Sequence, residues 1–145
     1  MLRRLRLTST ALVLDVDGTL LSSGEEVLFV DTCLLARLSH ALGIDVFVVT
    51  AREFTPFNLA YTLDQLQRCQ VPFHSLFMRN ANAPVLQMKA EARNFINGHS
   101  HILASIGDNW TDITEETPPQ NLEYFDDQSY LGQCHDIFFL KLPME

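Results

Sequence analysis

The sequence predicts an α/β fold, a Rossmann-like, doubly wound and mainly parallel sheet flanked by helices. Three observations carry that reading. Apolar, β-branched runs such as IDVFVVT (44–50) have the continuous hydrophobicity of strands buried on both faces. Stretches with helix start and stop signals alternate with those runs. Acidic and hydroxyl residues stand at the ends of the runs, in LDVDGT, VVTAR and IGDNWTD. Open α/β sheets gather their reactive groups there, where the topology reverses.

Leu7 to Leu14 reads as the first buried strand, ending at Asp15 and Asp17. At i and i+2 on a strand, the two carboxylates are expected to point to the same face. LLSSGEE (20–26) is a polar turn. TCLLARLSHAL is a helix capped by Asp31 or Thr32 and stopped by Gly43. Strand 44–50 follows. Thr55 then caps a helix with Pro56 at its first position, running to about Gln70. HSLFMR (74–79) is the third strand. Pro84 opens the helix VLQMKAEARNFI, which ends near Gly98, and HILASIG (101–107) is the fourth strand. A short helix is expected in TDITEET, and two last short strands in LEYFD and DIFFLKL.

The chain has 145 residues, 47% of them apolar, enough for one domain over 1–145 with a real core. A net charge of -8 opposes a nucleic-acid groove, which needs clustered Lys and Arg. Arg3, Arg4 and Arg6 are too few to supply one and read as a solvated N-terminus. Cys33, Cys69 and Cys134 are odd in number and lack a CxxC pair, which favours free thiols in a reducing compartment. The apolar run after the N-terminal arginines meets Asp15 too early for a signal peptide. No run approaches the ~20 residues of a membrane span. The expectation is a cytoplasmic protein with no membrane partner.

The strand ends collect Asp15, Asp17, Thr50, Asp108 and Asp112, and Lys89 lies on the helix leading into the fourth strand. Four carboxylates and one lysine in a cleft require a further cation. An all-oxygen donor set suits Mg²⁺, which takes one or two of these carboxylates and keeps waters for a phosphate. Such a site handles phosphoryl groups: cations neutralise the phosphoryl oxygens and a hydroxyl positions them. One carboxylate can attack phosphorus, and a second can pass the proton. Each residue has an ordinary alternative. Asp17-Gly18 alone is a turn signal, Thr50 a strand end, Lys89 a solvated helix face, Asp108 and Asp112 turn formers. Their joint order favours chemistry. His40, His74, His99, His101 and His135 fit no ligand spacing and are read as structural.

These motifs resemble the haloacid dehalogenase-like superfamily of phosphatases. LDVDGTL, FVVTAR, Lys89 and IGDNWTD stand in that family's order, from about residue 10 to the C-terminus. TAREF, GDNWTD and FFLKLP are also similar to its acid-phosphatase, IIIB-like branch. The resemblance implies Asp15 as nucleophile and Asp17 as general acid/base with its carbonyl on Mg²⁺. It implies Thr50 and Lys89 as phosphate ligands, Asp108 on the metal, and Asp112 holding the metal directly or through water. Gly18, Ala51, Arg52, Asn109 and Trp110 are candidate substrate contacts, and Trp110 either packs under its loop or faces the substrate. The stretches between motifs are filled by core elements, so no cap domain is expected. The implied substrate is a phosphorylated small molecule or phosphoprotein, and oligomerisation stays open. Phosphotransfer to an alcohol, or a catalytically inactive binding module of the same fold, are the alternatives. A receiver-type signalling domain fits less well, because the third strand ends in Met78-Arg79-Asn80 and carries no acceptor Asp.

Overall fold

The computed structural model describes residues 9–22, 28–114, 123–126, 129–134 and 137–142. Among the described residues, seven strands form one sheet: β1 (Thr10–Leu14), β2 (Asp45–Glu53), β3 (Ser75–Arg79), β4 (His101–Gly107), β5 (Glu123–Asp126), β6 (Ser129–Cys134) and β7 (Ile137–Lys141). Their order is β3-β2-β1-β4-β7-β6-β5. The first five in that order are mutually parallel, and β6 and β5 add an antiparallel edge. The helices are α1 (Val30–Ala41), α2 (Pro56–Arg68) and α3 (Val85–Asn97). The fold is the mainly parallel α/β sheet expected. None of the described helices is long and apolar enough to cross a membrane.

The two faces of β1 and β2 explain the layering. Leu12, Leu14, Val46 and Val48 pack with Cys33 and Ala36 of α1 and Leu66 of α2. Ala11, Val13, Phe47 and Val49 pack with Met88, Ala92 and Ile96 of α3. Period-2 alternation thus sends neighbouring residues to opposite helical layers, and both faces must be apolar. The chain steps from β1 outward to β3, then returns through α3 to β4 on the other side of β1. The switch point lies between β1 and β4, and Asp15 and Asp108 end those two strands.

Several boundaries differ from the sequence reading. Helix α1 begins at Val30 after Phe29, whose side chain makes no capping bond, so Asp31 lies in the first turn and not at the cap. An acid there still favours the positive end of the helix dipole. Gly43 follows α1 with φ +83°, the left-handed stop expected. Strand β2 continues past Thr50 to Glu53, and its pairing with β3 slips between Val49 and Glu53. The Thr50-Ala51-Arg52 segment is therefore an irregular extension of a central strand. A third C-terminal strand, β6, was not expected. After β4 the chain makes a 3₁₀ turn, Trp110–Asp112, which overlaps the start of the stretch predicted as a short helix. Residues 7, 8, 23–26 and 115–117, which carry parts of the predicted first strand, polar turn and short helix, lie outside the described residues, as do the N-terminal arginines and His135.

Thr55 caps α2 as predicted: its hydroxyl accepts from the Asn58 N–H at 3.0 Å. Thr55→Ala will cost about 1 kcal/mol of stability, read as a lower urea midpoint at unchanged slope. Cys33 and Cys69 are free and buried, while the Cys134 side chain lies outside what is described. His74 packs edge-on to Phe47 and His99 lies against Phe95, in keeping with structural roles.

Candidate active site

Asp15 directly follows β1, in register with the residues that face α3, and it is buried. Lys89 is on the inward side of α3 with Met88, Ala92, Arg93 and Ile96. Its ammonium lies 3.6 Å from Asp15 Oδ1 and donates a very short hydrogen bond to Asp112 Oδ1. Asp15, Asp108 and Asp112 each bring a carboxylate oxygen within 4.8 Å of the other two. Asp17 is outside this cluster.

The loop after β4 is built to hold that arrangement. Asn109 caps the 3₁₀ turn: its side chain accepts from the Thr111 N–H at 3.1 Å. Its own N–H donates to Asp112 Oδ2 at 3.1 Å, which turns Asp112 inward. Arg93 Nη1 donates to the Thr111 carbonyl at 2.6 Å, tying the loop to α3. Two glycines make room. A Cβ on Gly107 would overlap the Asp112 carboxylate, and one on Gly18 would overlap that of Asp108. Gly18 also has φ +76°, so only glycine suits the turn that brings it there.

Burial dominates the electrostatics, and repulsion among the carboxylates adds to it. Burial and the facing Asp112 push the Asp15 carboxyl well above the usual range, against the pull of Lys89 and the Val16 N–H. Burial also raises Asp108, although its hydrogen bond with Asp15 opposes the rise. Lys89 shows the converse: burial disfavours its charge, but Asp15 and Asp112 together raise its pKa. Three hard oxygen donors with one ammonium between them, and space cleared by two glycines, suit a small divalent cation such as Mg²⁺.

The second acid of the opening motif departs from the reading that both share a face. β1 ends at Leu14, so strand alternation no longer governs Asp17. Its carboxylate is 38% exposed and is gripped by Arg52, with Nη2 donating to Oδ1 at 2.7 Å and Nε to Oδ2 at 3.0 Å. Arg52 Nη1 is anchored on α2 by Gln65 Oε1 at 2.6 Å and Thr62 Oγ1 at 2.9 Å. Asp15 thus belongs to the α3 side and Asp17 to the α2 side. The structure brings the Asp15, Asp108 and Asp112 carboxylates together, while the metal role expected of Asp17 concerns its backbone carbonyl and its carboxylate faces Arg52.

Thr50 is buried, and its hydroxyl accepts from the Arg52 N–H at 3.2 Å. The Ala51 carbonyl accepts from Arg79 Nε at 2.9 Å. Trp110 packs edge-on to Phe139 at 5.6 Å between ring centres, which favours the packing alternative. Two basic residues near the cluster were not singled out as site groups from the sequence. Arg93 is one; its spacing of four from Lys89 on a helix was the available signal. Lys141 is the other. It pairs with Gly107 in the β4–β7 register, donates to the Leu142 carbonyl at 2.8 Å and lies over the Trp110 ring. Burial lowers its pKa, while Asp108 and Asp112 resist.

No protein-family model matches the chain, and no curated protein matches it. Its fold is similar to solved chains of a Pnkp1/Rnl/Hen1 RNA repair complex. One superposes with a TM-score of 0.64 at 20% identity, covering 74% of this chain and 39% of that one. Another gives 0.63 at 20% identity, covering 73% and 41%. The chain therefore spans about two fifths of the length of these neighbours, and at such identity the likeness concerns the fold.

Proposed function

We propose that the chain is a Mg²⁺-dependent phosphomonoesterase of the haloacid dehalogenase-like type, close to its acid-phosphatase branch, working through an aspartyl-phosphate on Asp15. The observation that carries this reading is one buried carboxylate beside a buried ammonium, inside a three-carboxylate cluster at the sheet's switch point.

Asp15 attacks phosphorus: an Asp15 Oδ–P bond forms and the ester P–O bond breaks. Lys89 at 3.6 Å favours the ionised, nucleophilic form of Asp15 against burial and Asp112. Thr50, whose oxygen already accepts from the Arg52 N–H, turns its own hydrogen to a phosphoryl oxygen. Asp17 releases one of its two Arg52 hydrogen bonds, takes a proton from water on that oxygen, and gives it to the departing oxygen. It then takes one from the water that attacks the aspartyl-phosphate, releasing phosphate and restoring Asp15. Asp15, Asp108 and Asp112 would hold Mg²⁺, which when bound neutralises charge on the phosphoryl oxygens. Partial exposure of Asp17 fits a proton shuttle open to water.

Hydrolysis of small phosphate monoesters by the purified chain, followed as phosphate release, tests this. Activity will fall by at least about a hundredfold on chelation and return with added Mg²⁺, because charge neutralisation at the phosphoryl group is worth several kcal/mol. Turnover that chelation leaves unchanged would overturn the reading.

A further inference from the structure

The two aspartates face different sides of the sheet, and this difference locates the leaving group. The argument rests on the phosphatase reading above. A general acid must reach the departing oxygen, so the leaving group lies where Asp17 points. The α3 side of the cluster is closed. The cavity between Asp15, Lys89, Arg93 and Asp112 measures only about 10 Å³, no more than the least space that holds one water. The α2 side is open, since the Asp17 carboxylate is 38% exposed there.

What lines that open side has a definite chemistry. The Arg52 guanidinium, fixed by Asp17, Thr62 and Gln65, lies 5.5 Å from the centre of the Tyr61 ring. Phe57, one helical turn before Tyr61, stacks on it at 6.0 Å with an interplanar angle of 13°. Phe57 is 76% exposed and Phe54 is 57% exposed. The row runs unbroken from the acid/base to the surface: carboxylate, guanidinium, phenol, phenyl. Flat exposed rings next to a fixed guanidinium bind another flat ring by stacking and cation–π attraction. A flexible alkyl group gains less from them.

We infer that Phe57 and Tyr61 form the leaving-group subsite, and that the substrate is a phosphate monoester whose leaving group carries a planar aromatic ring. Such a ring occurs in a phenolic ester, directly on the scissile oxygen, and in a nucleotide, one sugar away.

Steady-state kinetics with phenyl phosphate, a nucleoside 5′-monophosphate and glycerol phosphate, at saturating Mg²⁺, test the subsite and separate its two sources. The wild-type chain will favour at least one aromatic ester over glycerol phosphate in kcat/KM, and the favoured ester names the source. Phe57→Ala will raise KM for that ester about tenfold and leave glycerol phosphate unchanged. Tyr61→Leu, which keeps apolar bulk but loses the ring, will act in the same direction. Phe95→Ala, an exposed ring on α3, will change neither. Equal losses on aromatic and alkyl esters would overturn the subsite while the phosphatase reading stands. An altered elution volume of Phe57→Ala on a sizing column with every KM unchanged would also overturn it, as the rings would then join copies of the chain. No turnover of any of the three esters by the wild type would remove both the subsite and the phosphatase reading.

Discussion

Asp15→Asn will lower phosphate release by about four orders of magnitude or more, and it will raise the stability of the metal-free protein. The first effect follows from removing the nucleophile, a loss that binding by the remaining groups does not replace. The second follows from the burial of Asp15 and the repulsion around it. Burial and Asp112 raise its pKa in the folded state, so the native chain holds a proton that the unfolded chain gives up. A group with a raised folded pKa destabilises the fold as pH climbs from about 4, the unfolded carboxylate value, through its folded pKa. The metal-free wild type will therefore lose stability over that range, and Asp15→Asn will lose less. Urea midpoints between pH 4 and 8, with chelator present, read the difference. A steeper fall for the variant than for the wild type would sink the electrostatic account. Asn matches Asp in shape, so a gain in stability beside a loss of turnover separates function from folding.

Lys89→Met will destabilise the metal-free protein by about 3–5 kcal/mol, the cost of leaving buried charges without their partner. Lys89 is itself buried, and its ammonium bridges Asp112 and Asp15. Methionine fills similar volume, so the loss measures charge and not a cavity. Added Mg²⁺ will recover part of the midpoint, because a bound cation offsets the same carboxylates, and binding to the native state alone stabilises it. Adding Asp112→Asn to Lys89→Met will also recover stability, since it removes the nearest orphaned charge. Turnover will stay low in both variants. Denaturant melts of the two, each with chelator and with Mg²⁺, check the prediction. A single variant as stable as the wild type in chelator would contradict it.

Much of the fold was legible in the chain itself. IDVFVVT, short and rich in β-branched residues, reads as a strand buried on both faces, and Thr55-Pro56 and Gly43 carry their own start and stop chemistry. β6 was not legible. Its SYLGQC pattern lacks clear alternation, and it is a strand because the β7 backbone offers it an antiparallel partner. Pairing of that kind is a tertiary event that local propensity does not announce. The end of β2 is similar. Thr50 looked like the last strand residue, yet the strand runs on to Glu53 around a slip in register with β3.

The sequence by itself determined which groups stand at the ends of the strands. Apolar strands force the chain to place its polar residues at their ends, and helix spacing turns Lys89 inward beside Met88 and Ala92. Only the tertiary structure decided how the two aspartates of LDVDGT divide. β1 stops at Leu14, Gly18 turns the chain with a positive φ, and Asp17 meets an arginine held by Thr62 and Gln65. Residues so far apart in sequence find one another only when α2 packs on its face of the sheet. The same packing decided that Asp15 would share its burial with Lys89 and two other carboxylates, because α3 covers the opposite face.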